Sequence, residues 1–359
     1  MYPMKYIKGL ENSKPGIQVG TKWQGEIKKK SDGTFSFDED GVKFLHQIGI
    51  EWVMVNDPPA HTVPEMKQLK KQVEDLGFKI FRLADNSLHN MPQITLNLPG
   101  RDEKIAEYLE YISNLGEAGI HYSTYAHMGN GIWSDDERRT IRGGAKARGL
   151  SLKNLNQGHW KFAGDPSQWP LSHGRKYSEA ELWDNYEYFI KKVVPVAESA
   201  GVFIGVHPDD PPGIEMAGIP RKIFGTFEGY KKALELAGSA NIGACLCVGC
   251  WLEGAELVGS TPEEFIRYFE PRGKLFKIHM RNVTAPLSSP EGFCETYPDA
   301  GYYNLYNVME ALAETGFDGV IMNDHLVDMV GGRYACEASF TAYLKGLTDA
   351  VQSHKTKKG

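Results

Sequence analysis

The 359-residue chain has no apolar run approaching the ~18–20 residues of a membrane span. Its opening, Met1-Tyr-Pro-Met-Lys-Tyr-Ile-Lys8, carries no apolar core of a secretory signal. Cysteine is scarce. There are five, three of them crowded at Cys245, Cys247 and Cys250, which does not make a disulfide framework. A reducing cytoplasm is the simplest setting. Positive charge is not in excess either: 40 Lys and Arg stand against 46 Asp and Glu, a formal net charge of −6. That balance gives no electrostatic footprint for nucleic acid. Neither a membrane nor a nucleic acid is expected as a partner. No G-x-G-x-x-G follows any strand pattern, which argues against an open dinucleotide-binding sheet.

What is present is a globular composition, 41% hydrophobic and 24% charged, long enough to bury a large core. Apolar strand patterns begin at Gly16-Ile-Gln-Val19 and recur at Ile50–Val55, Phe78–Leu83, Ile120–His127, Val202–His207, Ile242–Cys247, Leu275–Met280 and Gly319–His325. Helical periodicity follows each: from Asp38 to Gly49, then about 62–76, up to Gly119, 179–200, 227–236, 261–269, 304–314 and 338–351. Ser178 is the expected N-cap of the long fourth helix, and Pro262 falls in a first turn. Strands alternating with helices demand a parallel sheet with crossovers. Eight units are the number that closes a (β/α)8 TIM barrel, so an α/β chain is expected to form one domain over 1–359. The rhythm stops once. Residues 128–177, rich in Gly, Arg, Trp and Ser, read as an insertion after strand four and as a lid over the active site.

In such a barrel the chemistry sits at the C-terminal ends of the strands. Those ends carry Asn56 and Asp57, Asp85, His127, His207, Cys247, His279, and the adjacent Asp324 and His325. The last four strands are neighbours, so imidazole, thiolate, imidazole and carboxylate converge. That donor set suits a borderline divalent ion such as Mn²⁺, Fe²⁺, Co²⁺ or Zn²⁺. Cys245 shares a face with Cys247 but lies one layer deeper, so Cys247 is the expected ligand. Cys250 lies past the strand, and Cys294 and Cys336 read as packing. Asp324 is the better ligand of its pair, which leaves His325 for proton transfer. Tyr334, on the following loop, is a candidate acid partner. Asn56, His127 and the basic cluster Arg138, Arg139, Arg142, Lys146 and Arg148 could orient a polar anionic substrate. Within it Arg142, followed by two glycines, is the candidate contact. Asp57 and Asp85 can equally be turn-formers.

The chain resembles the mannonate dehydratase family of (β/α)8 barrels. The resemblance rests on Asn97-Leu-Pro-Gly-Arg-Asp102, His207-Pro-Asp-Asp-Pro-Pro212, Cys247-Val-Gly249, His279 with Arg281-Asn282, Phe293 with Glu295, Val308-Met309 and Asp324-His325. It implies a divalent metal, commonly Mn²⁺, on His207, Cys247, His279 and Asp324. It also implies a catalytic histidine at His325 and a nearby tyrosine, here Tyr334. The implied reaction is loss of water from D-mannonate to give 2-keto-3-deoxy-D-gluconate. Two departures stand out. The family shows Arg-Pro before Asp-His and Gly-Arg after it, where this chain has Met322-Asn323 and Leu326-Val327.

The expected chemistry is a β-elimination. A base removes the proton at C2, an acid protonates the leaving C3 hydroxyl, and the metal polarises substrate oxygens. The partner is then a small sugar acid. The chain's assembly, monomer or homo-oligomer, is left open. The alternatives are a sugar isomerase or epimerase of the xylose-isomerase-like barrel class, and a barrel that binds a sugar acid without turnover. The isomerase sites are richer in glutamate, and no glutamate falls at an expected strand end here.

Overall fold

The computed structural model describes residues 16–135, 137–153, 160–161 and 170–356. Eight parallel strands form its centre: β1 Gln18–Lys22, β2 Trp52–Asn56, β3 Lys79–Ala84, β4 Tyr122–Ala126, β5 Phe203–His207, β6 Ile242–Cys247, β7 Leu275–His279 and β8 Val320–Met322. Each is followed by a helix on the outside: α1 Glu39–Gln47, α2 Val63–Asp75, α3 Arg101–Glu117, α4 Glu179–Ala200, α5 Phe227–Ala237, α6 Pro262–Phe269, α7 Leu305–Thr315 and α8 Gly332–Thr356. The spatial order is β3-β2-β1-β8-β7-β6-β5-β4, which is that of a barrel opened between β3 and β4. That seam is stitched by individual bonds. Arg82 Nη2 of β3 donates to Thr124 O at 2.7 Å, and Ala126 N donates to His89 O at 2.7 Å. The TIM barrel expected from the alternation is therefore the fold.

Strand one lies later than its apolar run suggests. Pairing with Val320–Met322 and Trp52–Met54 carries β1 on to Lys22, through residues too polar to read as a strand. Strand eight is shorter than its apolar run: the ladder stops at Met322, and Asn323, Asp324 and His325 leave it as free loop. Ser178 caps α4 in a reciprocal box with Glu181, and Pro262 opens α6, as their sequences dictate.

The barrel's interior is layered. Near the N-terminal ends of the strands, Trp52, Phe81, Tyr122, Phe276 and Val320 form their own apolar cluster. Phe81 and Phe276 join it because each is the extra residue of a β-bulge, skipped in the ladder with the neighbouring strand. Above them lies a polar layer. Arg82 and the fully buried Lys277 both approach Met54 Sδ, at 3.4 and 3.6 Å. Burial brings the Lys277 ammonium down to about 7. The four expected metal ligands form the top layer.

The segment after β4 folds back over the C-terminal end. Gly149 and Leu150 pair antiparallel with Cys294 and Phe293, and Asn282 and Val283 pair on the other side of that strand. Within the expected insertion, residues 136, 154–159 and 162–169 lie outside the described residues. Among the described residues no helix is long and apolar enough to cross a membrane.

Candidate metal centre and active site

His207, Cys247 and His279 are the last residues of β5, β6 and β7, and Asp324 lies two past β8. Parallel register puts such ends side by side: Cys247 is the ladder partner of His279, and the rings of His207 and His279 are 5.1 Å apart. One donor atom from each of the four residues lies within 4.8 Å of the others, and all four are buried.

The surroundings prepare these groups as ligands. His207 Nδ1 is 2.8 Å from Pro208 O and must donate there, which turns Nε2 to the cluster. Against burial, the hydrogen bond and charge of Cys247, with Asp324 and Asp210, raise this imidazole, so a cation there would take the place of its proton. Both ring nitrogens of His279 are buried without a hydrogen-bond partner, and its Nδ1 lies 3.5 Å from Asp324 Oδ1. In the neutral ring one of these nitrogens carries the hydrogen and the other a lone pair, and an orphaned lone pair at the wall of a cluster of anionic donors is what a cation would satisfy. Burial holds His279 down at about 3, so it is neutral at pH 7. Burial alone would raise the Cys247 thiol, but the Cys250 hydrogen bond and the Arg281 charge bring it well below the usual range. Asp324 is likewise held down against burial, by the charges of His325, Arg281 and Lys22. Neutral imidazole, thiolate and carboxylate are the states that bind metal. The four residues therefore fit a divalent ion.

Behind the cluster lies a buried ion network. Arg281 contacts Cys250 Sγ at 3.1 Å, Cys247 Sγ at 3.5 Å, Asp210 Oδ2 at 3.3 Å and Glu253 Oε1 at 2.6 Å. Arg148, from the segment after β4, contacts Asp210 Oδ1 at 2.5 Å, Glu253 Oε1 at 2.7 Å and Glu295 Oε1 at 2.7 Å. Glu295 in turn takes the Nδ1 hydrogen of His325 at 2.6 Å. Buried charges need such mutual compensation.

A cleft of about 310 Å³ opens beside the cluster, lined by Lys22, Ser134, Glu295, Asp324, His325 and Arg333 among others. A larger hollow of about 680 Å³ lies at the far end of the barrel, around Phe203, Tyr268 and Lys274, and holds none of these groups.

The sequence profile of D-mannonate dehydratase (UxuA) matches residues 22–158 and 168–358. The chain belongs to the mannonate dehydratase family. The mannonate dehydratase of Thermotoga petrophila is 29% identical over 374 residues, covering 93% of this chain and 98% of the relative. That of Streptococcus equi subsp. zooepidemicus is 31% identical over 287 residues, covering 74% of this chain and 75% of the relative. The crystal structure of mannonate dehydratase from Streptococcus suis serotype 2 superposes with a TM-score of 0.78, at 26% identity and covering 96% and 95% of the two chains. An L-ribulose 3-epimerase structure, at 12% identity and TM-score 0.56, shares the fold alone.

Within this family frame, four other candidates stand away from the cleft. His127 turns outward, between Tyr125, Tyr186, Phe189 and Phe224, where burial lowers it to about 3. Arg142 is exposed, paired with Asp299 at 2.7 and 3.0 Å and laid over Tyr297. Tyr334 stacks on Phe44 with ring centroids 4.5 Å apart. Asn56 ends β2 as an exposed residue paired with Ala84 and does not line the cleft. Asp57 and Asp85 are turn-formers, bonded to Asn86 and Ser87. Cys294 and Cys336 are packed in an apolar cluster that also holds Val327, with Leu326 against it.

Sequence reasoning missed Lys22, Asp210, Glu253, Arg281 and Glu295. It grouped Arg148 with Arg138, Arg139, Arg142 and Lys146 as a cluster for an anionic substrate, whereas Arg148 is buried among three carboxylates. The glutamates escaped because they arrive from a helix after β6 and a strand after β7 rather than from strand ends. The quoted Phe293-with-Glu295 pair was the available signal.

Proposed function

We propose that the protein removes water from D-mannonate to give 2-keto-3-deoxy-D-gluconate. Family membership supports the reaction. The observation that supports the site is His325, which lines the cleft with Nδ1 committed to Glu295 and Nε2 3.7 Å from Asp324 Oδ2. In this reading His207, Cys247, His279 and Asp324 would hold a divalent ion, assigned as Mn²⁺, which would supply Lewis-acid polarisation of substrate oxygens. His325 Nε2 takes the proton from C2 of the sugar acid. The C2–H electron pair becomes the C2–C3 double bond, the C3–O bond breaks, and the departing oxygen leaves as water with a proton returned by His325. The enol then tautomerises to the 2-keto acid. Tyr334 has no part in this reading, since its ring rests on Phe44. The expected insertion, 128–177, would act as a lid, and its Ile132, Ser134, Arg138 and Arg148 stand in the cleft wall.

The test is to incubate Mn²⁺-loaded protein with D-mannonate and its epimers and to assay 2-keto-3-deoxy acids. Product from D-mannonate supports the proposal. An isomeric sugar acid without loss of water would replace it with an isomerase.

A further inference from the structure

Two cations in the cleft form no carboxylate ion pair among the described residues, although the charge of one, Lys22, is felt by Asp324. Arg148 is spent on Asp210, Glu253 and Glu295, and Arg138 on Asp328. Lys22, at the end of β1, and Arg333, in the first turn of α8, form no ion pair with a carboxylate among the described residues. Lys22 Nζ gives one hydrogen to the backbone carbonyl of Asp324 at 2.8 Å. Arg333 Nε gives one to Gln24 Oε1 at 3.1 Å. The terminal amino groups of the guanidinium and the rest of the ammonium are left for a ligand.

The two are held as a unit. Gln24, 1% exposed, donates its own amide to the Lys22 carbonyl at 2.9 Å while accepting from Arg333. A buried amide thus fixes the strand end to the helix start. Of the two residues that follow His325, Val327 turns into an apolar cluster and Leu326 packs against that cluster while lining the cleft, so neither brings it a charge. Lys22 also sits against the backbone of Asp324, whose side chain is in the ligand cluster.

We infer that Lys22 and Arg333 form the carboxylate subsite of this cleft. The inference deepens the dehydratase reading and rests on it for the ligand, the C1 carboxylate of a sugar acid. A planar guanidinium and a point-charge ammonium on one carboxylate make charge-assisted hydrogen bonds. Removing the C2 proton delocalises a second negative charge onto that carboxylate. Lys22, bonded to the backbone of Asp324, meets this charge as it develops, while Arg333, bonded to Gln24, contributes mainly to binding.

The test is calorimetric titration of D-mannonate, and of the neutral polyol mannitol, into Mn²⁺-loaded protein, with steady-state kinetics alongside. Wild type should prefer mannonate. Lys22→Gln and Arg333→Gln should each weaken mannonate binding roughly 10- to 100-fold and leave mannitol unchanged. Lys22→Arg should restore most of the loss. Lys22→Gln should lower kcat, and Arg333→Gln should raise KM with little change in kcat. Wild-type mannonate affinity in both Gln variants, equal losses for mannitol, or no preference in wild type overturns the inference. Charge-dependent binding without keto-acid formation would keep the subsite and remove the dehydratase reading. Keto acid formed, with both Gln variants binding normally, would do the reverse.

Discussion

His325 Nδ1 and Glu295 Oε1 are 2.6 Å apart, and this contact selects the nitrogen that can work. A carboxylate accepts only, so Nδ1 carries a hydrogen, and Nε2 is the nitrogen turned toward Asp324 and the cleft, with a lone pair when the ring is neutral. Glu295 is itself fixed by Arg148 and Arg281 and is held far below its ordinary range, against burial, by His325 and the two arginines. The ring is therefore oriented by a carboxylate that stays ionised.

His325→Asn should keep the metal and the fold while slowing dehydration by about 10²–10⁴-fold. Asp324→Asn should lose metal as well, because an amide oxygen is a poorer ligand. Metal analysis paired with the keto-acid assay separates the two. Wild-type turnover in His325→Asn would end its catalytic assignment, and loss of its metal would make it a ligand.

Cys247→Ala should lower Mn²⁺ affinity far more than Cys245→Ala. Burial raises the Cys245 thiol to about 11, and it stays protonated beside Lys277 on the neighbouring strand. Chelator should lower the wild-type melting temperature and Mn²⁺ should restore it, since a ligand of the folded state stabilises that state. The Cys247→Ala protein should show little of this response. Equal responses in both variants would exclude Cys247 from the site.

His127 gives a pH prediction. Burial lowers it to about 3 in the folded chain, against an ordinary 6.5. The unfolded chain therefore binds a proton between these values that the folded chain refuses. Its contribution to stability is complete above 6.5 and is lost as pH falls toward 3. His127→Phe should remove this term, so the variant should lose about 2 kcal/mol less than wild type between pH 6.5 and 5. Denaturant titrations at the two pH values measure it. Keto-acid formation should survive the change, and its loss would return His127 to the substrate site.

Arg148→Met should destabilise the fold by about 3–5 kcal/mol, because Asp210 and Glu295 keep their charges in a buried place without it. Arg142→Ala should leave stability and KM for the sugar acid nearly unchanged, since its pair with Asp299 is exposed to solvent. A raised KM for the anion alone would bring Arg142 into the cleft.

The barrel was legible because alternation of apolar runs and helical periods is a local signal repeated eight times. The meeting of His207, Cys247, His279 and Asp324 was legible because strand ends share one face of the fold, so position along the chain gives position in space. Beyond strand ends that rule fails. Glu253, Arg281 and Glu295 come from connections whose course depends on tertiary packing. Arg148 and Arg142 are six residues apart in one basic stretch, yet one is buried and the other exposed. Lys22 was missed because β1 is polar and its end was placed at Val19. Tyr334 was placed by analogy of spacing, and the apolar face of α1 captures its ring instead.

The contacts of Arg148 also have a history in time. Its partners Asp210, Glu253 and Glu295 lie 62, 105 and 147 residues further along the chain. Closing such long loops costs more entropy than docking a strand to the next helix, so each strand–helix unit can take shape before this arginine meets its last partner. During synthesis Glu295 emerges only after seven of the eight strands. The histidine that Glu295 orients is therefore set in place at the end of assembly. A refolding chain should regain its helical signal first and its catalytic competence later.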